Sequence, residues 1–291
     1  MTSIIVLKRR INSIKGTSQI TKALQLVAAS KMKRAQDYAA RSRSYSDLAA
    51  SLMQKLSGIG ELKNYVFFKQ RPVKTKLYIV ISSNTGLAGA YNSNIQRFLS
   101  NLLEEDQKNS VKVKVIAIGN KAAHFARRIE SVDLVSVYNN LDNQPTANDI
   151  RPILNSLIKE YLSENVDQVD IIYTKFISNI NQQVSKIQAL PASADVDGLT
   201  DNSTSHFSNF EPDVDSVINE ITTRLIEAQL WQSILESLAS EHSMRMMAMK
   251  NATDNAKDLI EDYTLELNTA RQAGITQELA EISGGVEAMK A

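Results

Sequence analysis

The chain has 291 residues, 43% of them hydrophobic and 22% charged, with a formal net charge of +1, which fits a folded protein of one large or two ordinary domains. The lack of Cys excludes disulfides, thiolate metal sites and cysteine nucleophiles. The three scattered histidines, His124, His206 and His242, offer no zinc-like spacing. No run of 18 apolar residues spans a bilayer and the N-terminus lacks a secretory cleavage pattern, so the sequence reads as an intracellular soluble protein.

Between residues 3 and 57 there is no Pro, and Gly16 is the only Gly. Apolar residues at Ile4, Leu7, Ile11 and Ile14 have coiled-coil spacing. The pattern resumes at Ile20, Leu24, Val27, Met32, Ala35, Tyr38, Tyr45, Leu48, Leu52 and Leu56. One helix of about 55 residues, about 80 Å long, is expected. In the middle of the chain the period changes. Residues 77–81, 113–118, 134–138 and 169–173 read as strands, separated by helical stretches at 90–105, 121–129 and 148–162. This rhythm predicts an α/β domain with a mainly parallel sheet, and a last strand near 184–190 pairs antiparallel. Residues 191–212 are rich in Ser, Asp, Asn and Thr and read as a long surface loop.

Pro212 is placed to start a second long helix. Its seam runs Val214, Val217, Ile221, Leu225, Ala228, Trp231, Leu235, Leu238, then Ala252, Ala256, Leu259, Tyr263, Leu267 and Ala270. The seam resumes at Ile275, Leu279 and Ile282, and Gly284-Gly285 is expected to stop the helix. Its length comes to about 105 Å. Two striped helices at opposite chain ends most simply pack antiparallel, with the longer one protruding. The domain map is therefore 1–57 N-terminal helix, 58–73 linker, 74–190 α/β domain, 191–212 loop and 213–291 C-terminal helix.

Charge is unevenly spread. Residues 8–43 carry ten basic side chains and one acid, Asp37, whereas residues 254–287 carry eight acids against Lys257 and Arg271. Ends of opposite sign are suited to meeting each other, a partner, or both. The basic helix could serve a nucleic-acid arm, an acidic protein surface or a membrane surface. Little aromatic interleaving and an apolar seam already in use count against nucleic acid.

Residues 82–92, SSNTGLAGAYN, leave a predicted strand and enter a predicted helix, where free N–H groups could hold a phosphate on Gly86 and Gly89. The stretch matches neither the P-loop nor the GxGxxG pattern, and glycines at such turns commonly serve backbone geometry. GxSxG, HExxH and EF-hand patterns are absent. Asp195, Asp197 and Asp201 sit in a polar loop context rather than a calcium loop. Catalytic, cofactor and metal sites are therefore not expected.

Residues 7–15 (LKRRINSIK) and 19–32 (QITKALQLVAASKM) resemble the start of the F-type ATP synthase gamma subunits of bacterial type. Residues 249–256 (MKNATDNA), 270–279 (ARQAGITQEL) and 281–285 (EISGG) resemble their end, and 85–94 (TGLAGAYNSN) resembles the family's strand-end turn. Leu24 stands where many relatives have Met, and Asn84-Thr85 where a charged pair is common. The lack of Cys and of an inserted segment argues against the redox-regulated chloroplast form.

The resemblance implies a central rotor shaft, an antiparallel coiled coil of the terminal helices with a Rossmann-like α/β domain. Its implied partners are the ring of alpha and beta subunits, the epsilon subunit and the membrane c-ring, without nucleic acid, cofactor or membrane span. Proton-driven rotation of the ring would turn the shaft and cycle the catalytic beta subunits. The expected place is the cytoplasmic face of the bacterial plasma membrane, or the matrix side if the source is eukaryotic. Partner contacts are expected from the basic band, Lys8, Arg9, Arg10, Lys22, Lys31, Lys33 and Arg34, and from Arg245, Arg271, Gln272, Thr276 and Glu278.

Four of the eight methionines, Met244, Met246, Met247 and Met249, crowd into six positions. Thioethers alone make a poor metal site. Unbranched, polarizable side chains suit an irregular contact, and the expectation is half coiled-coil core, half sliding surface.

Overall fold

Where the sequence alternates β-branched runs with amphipathic stretches, a layered sheet forms; where it runs without Gly or Pro, helices continue unbroken. A computed structural model describes residues 4–57, 65–139, 141, 145–192 and 214–290. In chain order the elements are α1 (Ile4–Ser57), β1 (Thr75–Ile81), α2 (Tyr91–Lys108), β2 (Lys112–Ile118), α3 (Asn120–Ala126) and β3 (Val132–Tyr138). They continue with α4 (Ala147–Leu162), β4 (Gln168–Phe176), β5 (Gln182–Leu190) and α5 (Val214–Lys290). The strand order is β3-β2-β1-β4-β5, parallel except for β5. This is the expected α/β topology.

β1 is nearly continuous apolar sequence because both of its faces are covered, as parallel strands require. Leu77, Ile79 and Ile81 join a cluster with Ile150, Ile153 and Leu157 of α4. The same cluster takes Ala49 and Met53 of α1 and Leu225, Ile226, Leu230 and Ile234 of α5. Tyr78 and Val80 face the other way, into Ile95 and Leu99 of α2 and Ala122 and Ala126 of α3. α2 buries Tyr91, Ile95, Leu99 and Leu103, one residue per turn, on the sheet. α4 starts with a capping box: the Thr146 N–H donates to the Asp149 carboxylate at 2.7 Å. The Thr146 hydroxyl and N–H donors hold the Asp149 carboxyl below its usual range.

The chain divides into two units, residues 29–244 and a second built from the two chain ends, through Ala28 and from Arg245 on. In the second, the Thr21 and Thr253 hydroxyls meet at 2.8 Å and the Arg10 guanidinium lies 5.9 Å over the Tyr263 ring. Position falls along α1 as it rises along α5, so the pairing is antiparallel, as expected. Leu7, Ile11 and Ala28 on α1 and Met249, Thr253 and Ala256 on α5 are buried.

The seam of α1 differs from the expected one. Burial recurs with 3-4 spacing at Leu7, Ile11, Ile14, Ser18, Thr21, Gln25 and Ala28, then at Met32, Ala35, Ala39, Ser42, Ser46, Ala49 and Met53. Ile20, Leu24, Val27, Tyr38, Tyr45, Leu48 and Leu52, all expected inside, are exposed; Ile20 is 62% and Tyr45 59% accessible. Each stands one residue before a seam position, and one residue is about 100° around the helix. Beyond Ile14 the seam is mostly Ala, Ser and Thr, side chains that allow helix axes to approach.

On α5, Ile260 takes the half-buried place expected of Leu259, which is exposed. Ile275, Leu279 and Ile282 do not continue the seam; with Val286 and Met289 they form an exposed stripe. At the observed register Ile4, where described α1 begins, lies opposite α5 near residue 270, so this stripe has no described α1 turn beside it. Gly284-Gly285 does not stop the helix, which runs to Lys290. Neither glycine takes a positive φ, so the left-handed C-cap that would end it is not made. Pro212, His206 and the aspartates at 195, 197 and 201 lie outside the described residues.

Candidate functional site

The crevice at the C-terminal ends of β1 and β4 is where a doubly wound sheet would take a ligand. On the β2 side of β1, the donors that follow the strand ends are already engaged. In the first turn of α3, the Asn120 N–H donates to Asn84 Oδ1 at 3.1 Å, Lys121 N–H to the Ser83 carbonyl at 3.1 Å and Ala122 N–H to Ser82 Oγ at 2.7 Å. Ala123 N–H goes back to the Gly119 carbonyl at 3.3 Å. The Asn84 amide donates onward to the Asn139 carbonyl at 2.8 Å. Ser83 and Asn92 bond each other across the turn at 2.8 Å. The oxygens of residues 82–84 thus cap α3.

The crevice itself is filled by α5. Pairing of β1 with β4 ends at Ile172, leaving the Thr174 backbone facing where β1 would continue. The Thr174 N–H donates to Ser237 Oγ at 3.1 Å, and Ser240 Oγ donates to the Thr174 carbonyl at 3.1 Å. The Tyr91 hydroxyl, from the first residue of α2, donates to Ser237 Oγ at 3.0 Å. One turn on, Ser243 Oγ donates to the Asn179 carbonyl at 3.0 Å. All three serines are buried. Their polar groups need these partners, because an unmade bond there costs about 1–3 kcal/mol.

Beside them, Ser42 Oγ donates to Gln232 Oε1 at 2.5 Å, and Gln232 Nε2 to Glu236 Oε1 at 2.9 Å. Glu236 also pairs with Arg43 at 3.4 Å. Tyr173, close by, has its hydroxyl pushed up to about 12, first by burial and then by the Glu236 charge.

Of the expected contact residues, Lys8, Arg9, Arg10, Lys22, Lys33 and Arg34 are exposed on α1, and Arg271, Gln272, Thr276 and Glu278 on α5; Lys31 and Arg245 are half-buried. Lys22 bonds Gln25 at 3.3 Å and Thr276 Oγ1 its own helix at Gln272. The exposed apolar stripe of α1, interleaved with these cations, is not the seam that its periodicity suggests. The run of Ala, Ser and Thr one position later was the available signal.

Met249 is core in the paired ends, whereas Met244 packs on the α2 side of the sheet. Met246 and Met247 are half-buried. None of the four is fully outward, so the core half of the expectation describes them better. Among the described residues no group of three His, Asp or Glu could hold a metal, and no helix is long and apolar enough to cross a membrane.

Chains of two solved mitochondrial ATP synthase structures share this fold. A chain in the Tetrahymena thermophila mitochondrial ATP synthase central stalk and c-ring matches with TM-score 0.61 and 24% identity, over 80% of this chain and 99% of that one. A chain of the Euglena gracilis mitochondrial ATP synthase matches with TM-score 0.70 and 17% identity, over 98% and 94%. The fold is thus shared with chains of ATP synthase rotor structures.

A family model described as ATP synthase matches residues 3–289. The ATP synthase gamma chain of Staphylococcus carnosus is 37% identical over 290 residues, all of both chains. That of Roseiflexus castenholzii is 36% identical over 294 residues, 99% of each. The chain belongs to the ATP synthase gamma chain family.

Proposed function

We infer that this chain is the central rotor shaft of an F-type ATP synthase, coupling proton-driven rotation of the membrane c-ring to conformational cycling of the catalytic beta subunits. The observation that carries the reading is the outer face of α1: large apolar side chains and cations share it, while the seam beyond Ile14 is mostly Ala, Ser and Thr. A helix pair that only had to be stable would bury Ile20, Leu24 and Tyr45; exposure of such residues marks a surface used by partners.

Those partners are the alpha and beta subunits around the shaft, with the epsilon subunit and the c-ring at the α/β domain. Lys8, Arg9, Arg10, Lys22, Lys31, Lys33, Arg34, Arg245, Arg271, Gln272, Thr276 and Glu278 are its proposed contacts. The basic band meets acidic loops of the beta subunits, with attraction that weakens as salt screens it. The chain carries no catalytic site of its own; nucleotide chemistry stays with its partners. It rides peripherally on the membrane-bound complex, at the cytoplasmic face in a bacterium.

Mixed with alpha and beta subunits at low salt, the chain is expected to co-purify with them and restore steady ATP hydrolysis, while hydrolysing none alone. Hydrolysis by the isolated chain, or failure to co-purify, would count against the reading.

A further inference from the structure

A shaft delivers torque only if its helices cannot turn on their own axes against the domain that holds them. Apolar packing alone resists this poorly, because it is non-directional. Within residues 29–244, α5 is buried almost all round between Leu225 and Ser243, so packing by itself leaves several neighbouring rotations available. Hydrogen bonds to fixed backbone atoms do not.

Resting on the rotor reading, we propose that the end of β4 and the 178–181 turn form a keyed joint locking α1 and α5 to the α/β domain against torque. Ser237 and Ser240 grip the N–H and the C=O of one residue, Thr174, which fixes both the rotation and the axial position of α5. Thr174 stands opposite Val184, and its neighbours Tyr173 and Lys175 stand opposite Ser185 and Gln183, so the gripped residue is set in the sheet. Asn179 then holds both helices at once. Its side-chain oxygen accepts from Gln36 of α1 at 2.9 Å, and its carbonyl accepts from Ser243 of α5 at 3.0 Å. Gln182 Nε2 braces Ser243 at 3.2 Å. In another α/β protein this crevice would hold a substrate; here it holds the axle.

The test uses the assembled ATP synthase in sealed vesicles, measuring protons pumped per ATP hydrolysed at equal amounts of complex. The variants are Ser237→Ala with Ser240→Ala, Asn179→Ala with Gln36→Ala, and the control Ser233→Ala. Among the described residues, Ser233 Oγ donates back to the Gln229 carbonyl of its own helix, at 2.8 Å.

For the Ser237/Ser240 pair the ratio is expected to fall at least about twofold while hydrolysis continues. Each lost buried bond shifts the locked state by a factor of about five to ten. The deficit should grow as the opposing gradient rises. The Asn179/Gln36 pair moves the same way, and Ser233→Ala keeps the wild-type ratio even if it lowers Tm. Should the Ser237/Ser240 pair not assemble, the Asn179/Gln36 pair, at an exposed turn, decides. An unchanged ratio in the assembled variants overturns the joint and leaves the rotor reading standing. A wild-type complex that hydrolyses ATP without pumping overturns both.

Discussion

Alanine in place of Gly119 is expected to destabilise the chain by about 3 kcal/mol or more, enough to expose or abolish the α/β domain. Two independent causes act at this position. Its backbone holds φ +94° and ψ 147°, a region that side chains other than hydrogen rarely enter. A Cβ there would also sit 2.2 Å from the Ser82 carbonyl oxygen. That carbonyl cannot retreat easily, because the Ser82 N–H is bonded to the Ile118 carbonyl at 2.8 Å and Ser82 Oγ caps α3. By contrast, Gly86 has nothing within 4 Å of its would-be Cβ and no positive φ, so Gly86→Ala should be nearly silent. Urea unfolding followed through Trp231, the single Trp, half-buried against the main core, separates the two variants.

Loss of the Asp106 carboxylate is expected to cost nearly as much. Asp106 lies in the last turn of α2, buried, and accepts from Lys76 Nζ and from the Tyr78 hydroxyl, both at 2.5 Å. A carboxylate near a helix C-terminus is unfavourably placed in the helix dipole, so it stays only because two donors on β1 require it. Burial, and then this hydrogen bond, push the Tyr78 hydroxyl far above its usual value. Asp106→Ala strands a mostly buried cation and a buried hydroxyl together, at about 3 kcal/mol, the low end for a broken buried pair because Lys76 keeps some access to water. Asp106→Asn keeps an acceptor for Tyr78 and should recover part of the loss. Equal urea midpoints for Asp106→Ala and wild type would show that the pair contributes nothing.

Much of this fold was legible in the sequence. The strands appeared as short β-branched runs, and α2 and α4 as amphipathic periods between them, because each is set by local burial on one sheet. α1 was legible as a helix but not in its orientation. Large apolar residues at Ile20, Leu24 and Val27 dominate any periodicity count, yet the seam went to Thr21, Gln25 and Ala28. Helix packing depends on which row of side chains fits the partner, and hydropathy does not report that. Gly284-Gly285 misled for the opposite reason: a glycine pair permits a left-handed cap but does not compel one.

The site was harder to see than the fold. Ser237 and Ser240 look like indifferent residues of a long helix, and their partner Thr174 lies more than sixty positions away in a strand whose pattern is already explained by burial. The strand-end turn at 82–92 suggests a phosphate site through Gly86, Gly89 and free N–H groups, but the polar side chains around it, Ser82, Asn84 and Asn92, are committed elsewhere. Its oxygens and amides are spent on capping and cross-linking rather than on a ligand, which only three-dimensional pairing reveals. The basic residues were the more visible part, since charge asymmetry shows in a plain count.

The most direct measurement is rotation itself. The alpha–beta ring is fixed to a surface, a bead is attached to the α/β domain of this chain, and ATP is supplied. Sustained rotation in one direction, starting with ATP and ceasing on its removal, is expected. A bead that stays still while the same complexes hydrolyse ATP would contradict the rotor assignment.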